Sequence, residues 1–187
     1  FFFFFNTHGS SNSWRTEVDN SSYTNVHAGI LINRNGYSHI VTEACNSAAF
    51  DLYGCLASTF LSNPNSGVIS YLGCSRENWS SNASGFNRSF FRYLFTNKWH
   101  RFGEAALWAK MGIVRSSPAY NSHRWQLFSY CPTGDPETQI YTEFPRTFDN
   151  VLCRMRDGQL TIDCGVSDCQ ICITSLSDNG DSFFKVM

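Results

Sequence analysis

His39-Ile-Val-Thr-Glu-Ala-Cys45-Asn-Ser-Ala-Ala-Phe-Asp51 is the stretch that decides the reading of this chain. An apolar, β-branched run ends, a cysteine follows, and a small polar turn opens into a helix-like pattern. That layout puts a thiol at the carboxyl end of a strand, where open α/β sheets keep their binding crevices. Phe1 to Phe5 repeats the layout as a strand-like run that reads as buried, ending in Asn6-Thr7-His8-Gly9-Ser10. One strand end carries Ala-Cys and the other His-Gly. A cysteine-nucleophile hydrolase requires this pair. A thiol is mostly protonated at neutral pH, and an imidazole can take its proton and later hand it to a leaving amine. Gly9 lets substrate approach and offers a backbone N–H to an oxyanion, with the Cys45 N–H as second donor.

Working outward, residues 9–25 are rich in Ser, Asn and Thr and read as a surface loop. Val26 to Ile32 is apolar without a clear period. Asn35-Gly36 is a turn signal, and Tyr37 to Ala44 the strand that leads to Cys45. Leu52, Leu56 and Phe60 recur every four residues and predict a helix over 51–61, broken at Asn63-Pro64. Val68 to Leu72 is apolar at both parities, as a strand covered on both faces should be. Residues 73–85 read as another polar loop. Helices are predicted over 86–95, over 103–114 with Leu107 and Met111 on its apolar stripe, and over 118–130. Gln139 to Thr142 reads as a last short strand. Alternating strand and helix signals predict a mostly parallel α/β sheet.

Near Pro145 the texture changes to short alternating segments separated by Asp157-Gly158, Gly165 and Asn179-Gly180. This is hairpin or sandwich texture. The expected division is therefore 1–145, an α/β domain, and 146–187, the start of a β-sandwich. With no initiator Met and a core-like strand at its front, the chain reads as part of a longer protein.

A net charge of −1 gives no broad field for nucleic acid or an anionic membrane. No apolar run is long enough for a membrane span. Eight cysteines lean toward an extracellular setting. Four Asn-x-Ser/Thr sequons stand at Asn20, Asn78, Asn82 and Asn87. Cys169-Gln-Ile-Cys172 lies on a strand pattern that sends its sulfurs to opposite faces, which disfavours a zinc site. His27 and His39 could approach His8 and form a metal site, for which no ligand set is assigned. The sequence does not fix an oligomeric state.

Four segments occur in order: Thr7-His8-Gly9; Glu43-Ala44-Cys45-Asn-Ser-Ala-Ala-Phe50-Asp51; Gly67-Val-Ile-Ser-Tyr-Leu-Gly73-Cys-Ser75-Arg76-Glu-Asn-Trp79; and Gly134-Asp135-Pro136-Glu137. Together they resemble the gingipain family of cysteine peptidases over roughly residues 1–145. The resemblance implies a caspase-like three-layer α/β/α domain, N-terminally incomplete here, followed by an immunoglobulin-like domain. It implies a His8–Cys45 catalytic dyad and an oxyanion hole from Gly9 and Cys45. It also implies a substrate pocket near Trp79 and Ser75, with Arg76 close by. The implied activity is cysteine endopeptidase cleavage of protein or peptide substrates through an acyl-thioester. No cofactor is needed for that chemistry, a structural calcium is compatible with it, and the implied location is extracellular or at the cell surface.

Two features depart from the family pattern. Ala48 stands where a Gly is usual three residues after the nucleophile, which a backbone with negative φ would accommodate. The carboxylate that orients the His lies upstream in the family, and Glu43 is not assigned that role. Two other classes fit less of the sequence: a non-catalytic adhesion or binding module that keeps the fold, and a redox or zinc protein built on the cysteines.

Overall fold

The computed structural model describes residues 2–16, 19–34, 36–65, 67–96, 100–118, 121–142, 151–163, 165, 172–176 and 182–186. The chain divides into two compact units, Phe1–Glu143 and Phe144–Met187.

In the first unit, β1 (Phe2–Phe5) leads to a hairpin of β2 (Ser13–Arg15) and β3 (Ser22–Thr24) and a short helix α1 (Asn25–Gly29). Then follow β4 (Ser38–Thr42), α2 (Leu56–Ser62) and β5 (Val68–Cys74). Three helices come next, α3 (Ser80–Thr96), α4 (Phe102–Val114) and α5 (Ser122–Ser129), and β6 (Tyr130–Gly134) ends the unit's strands. One sheet has the order β1-β4-β5-β6. β1, β4 and β5 run parallel, and β6 is antiparallel to β5. This is the mostly parallel α/β sheet that the sequence predicts.

Strand alternation feeds a core on each face. Val41 and Leu72 point into a cluster with Phe86, Phe90 and Leu94 of α3, Ala105, Ala106 and Ala109 of α4, and Tyr130. Their neighbours Ile40 and Tyr71 point the other way, to Trp14, Leu56, Phe60 and Ala44. Each large apolar side chain so buried contributes about 1.5–3 kcal/mol. The Phe86 ring stacks on Tyr130 with centroids 4.2 Å apart, which adds to that burial.

Several elements differ from the sequence reading. Among the described residues β1 is the outermost strand of the sheet, and Phe3 and Phe4 are exposed. The polar stretch expected as a loop folds into the β2–β3 hairpin around Trp14. That indole packs on Phe5, Tyr23, Phe60 and Tyr71. α2 starts at Leu56, after the Cys55 sulfur accepts the Ser58 N–H at its cap. Leu52 is exposed. α3 begins at Ser80, inside the expected loop, and α4 buries its alanines while Leu107 and Met111 face solvent. The last strand is β6 itself; Gln139 forms a single bridge to Arg101.

In the second unit, β7 (Leu152–Arg156) and β8 (Gln159–Asp163) form a hairpin. Its two-residue turn is Asp157-Gly158, with φ of 50° and 75°, the left-handed pair that right-twisted strands favour. β9 (Cys172–Leu176) pairs antiparallel with β10 (Ser182–Val186). Asn35, Pro145, Cys164, Cys169 and Asn179-Gly180 lie outside the described residues.

Candidate active site

β1 and β4 are adjacent and parallel, so their carboxyl ends emerge side by side. The loop after β1 carries His8 and the loop after β4 carries Cys45. Both side chains line one cleft of about 310 Å³, together with Thr7, Glu43, Asn78 and Trp79. Topology thus brings together two residues 37 positions apart in sequence. A larger concavity of about 1040 Å³ flanks β1, lined mostly by Phe, Trp, Tyr and aliphatic side chains. Neither His8 nor Cys45 lines it.

The turn that presents Cys45 is tied down on every side. The Ala44 N–H donates to Thr42 Oγ1 at 3.1 Å, and Ser47 Oγ donates back to the Ala44 carbonyl at 2.9 Å. The Asn46 N–H donates to the Arg76 carbonyl at 3.2 Å and the Ala48 N–H to the Cys74 carbonyl at 3.0 Å. Asn46 has φ 58°, a left-handed conformation that Asn tolerates better than most residues. Ala48, by contrast, is not among the residues with positive φ, and it is buried. Its methyl group therefore carries no backbone penalty in place of Gly.

Cys45 is half-buried. Its sulfur accepts the Asn78 backbone N–H at 3.3 Å and donates to the Asn78 carbonyl at 3.6 Å. His8 is exposed to the cleft. Gly9 packs directly against the Cys45 turn. A Cβ there would lie 2.7 Å from Ala44 Cβ and 3.1 Å from the Cys45 carbonyl oxygen. Among the described residues, neither the Gly9 nor the Cys45 N–H donates to a protein acceptor. Arg15 N–H to the His8 carbonyl (2.9 Å) and Ser10 N–H to the Ser13 carbonyl (2.9 Å) hold the Gly9 turn on β2.

Glu43 lies in the cleft floor and is nine-tenths buried. One carboxyl oxygen accepts from Asn87 of α3, and the other has no partner among the described residues. Burial pushes this carboxyl above the usual range, opposed by the Asn87 hydrogen bond. Trp79 is half-exposed at the cleft wall. Ser75 is buried and donates through Oγ and N–H to the Ser129 carbonyl (3.1 and 2.7 Å). It lines a separate small pocket with Arg76. Arg76 makes a two-pronged pair with Asp51 at 2.9 and 2.8 Å, which holds the Asp51 carboxyl below its ordinary range.

His27 and His39 stay apart from His8. His27 caps α1 through Thr24. His39 is buried at the far end of β4 with Nδ1 2.7 Å from Ser70 Oγ, and burial lowers its pKa to about 4. Among the described residues, no group of three or more His, Cys, Asp or Glu side chains could hold a metal ion. A structural calcium therefore finds no acidic donor cluster among them. Cys45, Cys55, Cys74, Cys131 and Cys153 are free thiols, so these cysteines give no disulfide argument for an extracellular setting. No described helix is long and apolar enough to cross a membrane. The sequence reading assigned no role to Asn78. It registered only as a sequon, because a backbone donor leaves no mark in residue type.

Among curated protein sequences none matches the chain. The structure of the complex of Porphyromonas gingivalis RgpB pro- and mature domains is similar, with TM-score 0.70 and 15% identity. The match covers 99% of this chain and 53% of that one. The crystal structure of the Arg-specific cysteine proteinase gingipain R is also similar, with TM-score 0.65, 16% identity, and coverage of 99% and 52%. The chain thus spans about half the length of these solved chains, and at such identity the likeness speaks for the fold. The sequence profile of peptidase family C25 matches residues 1–141, a stretch that contains both cleft-lining strand ends, and the chain belongs to that family.

Proposed function

We propose that this protein is a cysteine endopeptidase in which Cys45 is the nucleophile and His8 the general base and acid. The observation that carries the reading is the shared cleft at the ends of β1 and β4, with two undonated backbone N–H groups beside the thiol. His8 takes the thiol proton and the sulfur attacks the scissile carbonyl carbon. The oxyanion accepts from the Gly9 and Cys45 N–H groups. His8 then protonates the departing amine, leaving an acyl-thioester. A water, deprotonated by His8, attacks that thioester and releases the acid and the thiol. The Asn78 N–H and carbonyl hold Cys45 Sγ in position at the start and end of the cycle. Trp79 supplies an aromatic wall for a substrate side chain. Substrates are proteins or peptides, no cofactor takes part, and the protein works outside the cell or at its surface. Residues 146–187 are the start of an immunoglobulin-like domain, a reading supported by the antiparallel strand pairs there.

The test is hydrolysis of a quenched peptide library by the full-length protein and by its Cys45→Ala and His8→Ala variants. The proposal expects cleavage that Cys45→Ala abolishes and His8→Ala lowers about 100-fold or more. Cleavage that survives Cys45→Ala would sink it. A folded protein that cleaves nothing would favour a binding module on the same fold.

A further inference from the structure

Resting on the peptidase reading, the geometry points to a second substrate subsite beside the cleft, one that takes an apolar side chain of leucine to phenylalanine size. It is a pocket of about 170 Å³ lined by Ser75, Arg76, Trp125, Phe128 and Ser129. The 75–79 loop separates it from the cleft. That loop touches Cys45 from one end, through the Asn78 N–H on Sγ at 3.3 Å. Near its other end the Arg76 carbonyl accepts from Asn46, the residue after the nucleophile, at 3.2 Å. A peptide held at the thiol and extended along this loop advances about 3.3 Å per residue with side chains alternating. The proposed occupant is a side chain within about three residues of the scissile bond on that path.

The walls are fixed although they are exposed. Trp125 Nε1 donates to the Glu77 carbonyl at 2.8 Å, so the indole is pinned to the same loop. Ser75 is bonded twice to Ser129, which locks the loop to the end of α5. Phe128 is among the most exposed rings of the chain, at 70%, with the Arg124 guanidinium 5.8 Å from its centroid. Rigid, solvent-facing aromatic groups are the surfaces that gain most from being covered. Charge decides the class of occupant. The Arg76 guanidinium is already closed by Asp51, and Ser75 Oγ already donates to Ser129. The Arg76 charge is thus paired, and the broad surface left uncovered at the pocket is that of the Trp125 and Phe128 rings, which favours an apolar side chain.

The test uses the full-length protein and quenched peptides in which each of three positions on either side of the cleaved bond carries Ala, Asp, Leu or Phe. Wild type should prefer Leu or Phe over Ala and Asp at one of these positions by roughly tenfold or more in kcat/KM. Phe128→Ala should lower kcat/KM for the Leu and Phe peptides at least about five times more than for the Ala peptide at that position. Trp125→Phe, which keeps the ring but loses the bond to Glu77, should narrow the same preference. Phe95→Ala, a ring equally exposed on α3, should leave it in place. Iodoacetamide labelling of Cys45 in each variant reports that the nucleophile turn is intact. Cleavage with no such position, or a preference that Phe128→Ala leaves standing, overturns the subsite and spares the peptidase reading. Absence of all cleavage with Cys45 inert overturns both.

Discussion

Gly9 and Ala44 are in contact so close that a Cβ on Gly9 would stand 2.7 Å from the Ala44 methyl carbon. The loop that carries His8 is thereby seated on the turn that carries Cys45. The need is for space, since Gly9 is not among the glycines with positive φ. Gly9→Ala should push the two loops apart. The expected loss in kcat is about 100-fold or more, the size seen when one oxyanion donor is displaced. Stability should fall by about 1–3 kcal/mol, as for other overpacked sites. Steady-state kinetics and urea unfolding measure the two effects. A Gly9→Ala protein with native kinetics would show that this contact does not set the site.

His39 and Glu43 make opposite contributions to the pH dependence of stability. The His39 pKa is lowered by burial to about 4, so between its ordinary value and pH 4 the unfolded chain binds more protons. Stability should therefore fall as pH drops through that window. The Glu43 carboxyl is raised by burial, so its contribution is fully present below the ordinary carboxylate range and is lost as pH rises through its folded value. Thermal melts of His39→Gln should lack much of the acid-side decline. Melts of Glu43→Gln should lack a decline on the other side. Parallel curves for wild type and both variants would contradict these assignments.

Three of the four sequons are closed to glycans by the fold. Asn82 and Asn87 are buried on α3, and the Asn78 side-chain amide is buried without a partner among the described residues. Asn20 is exposed in the β2–β3 turn. Expression through a secretory pathway followed by glycopeptide mass spectrometry should find sugar at Asn20 alone. Occupancy at Asn87 would require that α3 be unpacked when modified.

The packing of α4 on α3 makes small residues indispensable. A Cβ on Gly112 would meet Ser89 Oγ at 2.3 Å, and Ala105, Ala106 and Ala109 are fully buried. Ala109→Leu should destabilise by about 1–3 kcal/mol, whereas Leu107→Gln should change stability by about 0.5 kcal/mol or less. Urea midpoints compare the two. Equal effects would mean that the helix faces the other way.

This helix also shows where sequence reading stops. Its periodicity marks a helix correctly, but the larger apolar residues Leu107 and Met111 draw the core stripe to the wrong face. What the core selects is close approach, which only the facing helix reveals. The β2–β3 hairpin is hidden for a related reason. Its polar composition resembles a loop, and Trp14 is buried by Phe60 and Tyr71, which are far away in sequence. The start of α3 is masked by Ser and Asn, residues equally at home in loops and in first turns. The candidate cleft is more legible, because the His-Gly and Ala-Cys segments each follow an apolar run and stand at the ends of adjacent parallel strands. Asn78 and the small pocket are not legible, since one acts through its backbone and the other joins residues from two separate elements.

The most direct test is where a peptidyl acyloxymethyl ketone attaches to the full-length protein. The chain has other thiols within reach, for Cys131 is half-buried and Cys153 exposed. Intact mass and peptide mapping should show one adduct, on Cys45. Its rate of formation should fall about 100-fold or more in His8→Ala. Labelling spread over Cys131 and Cys153 with Cys45 untouched, or a Cys45 rate indifferent to His8, would contradict the account.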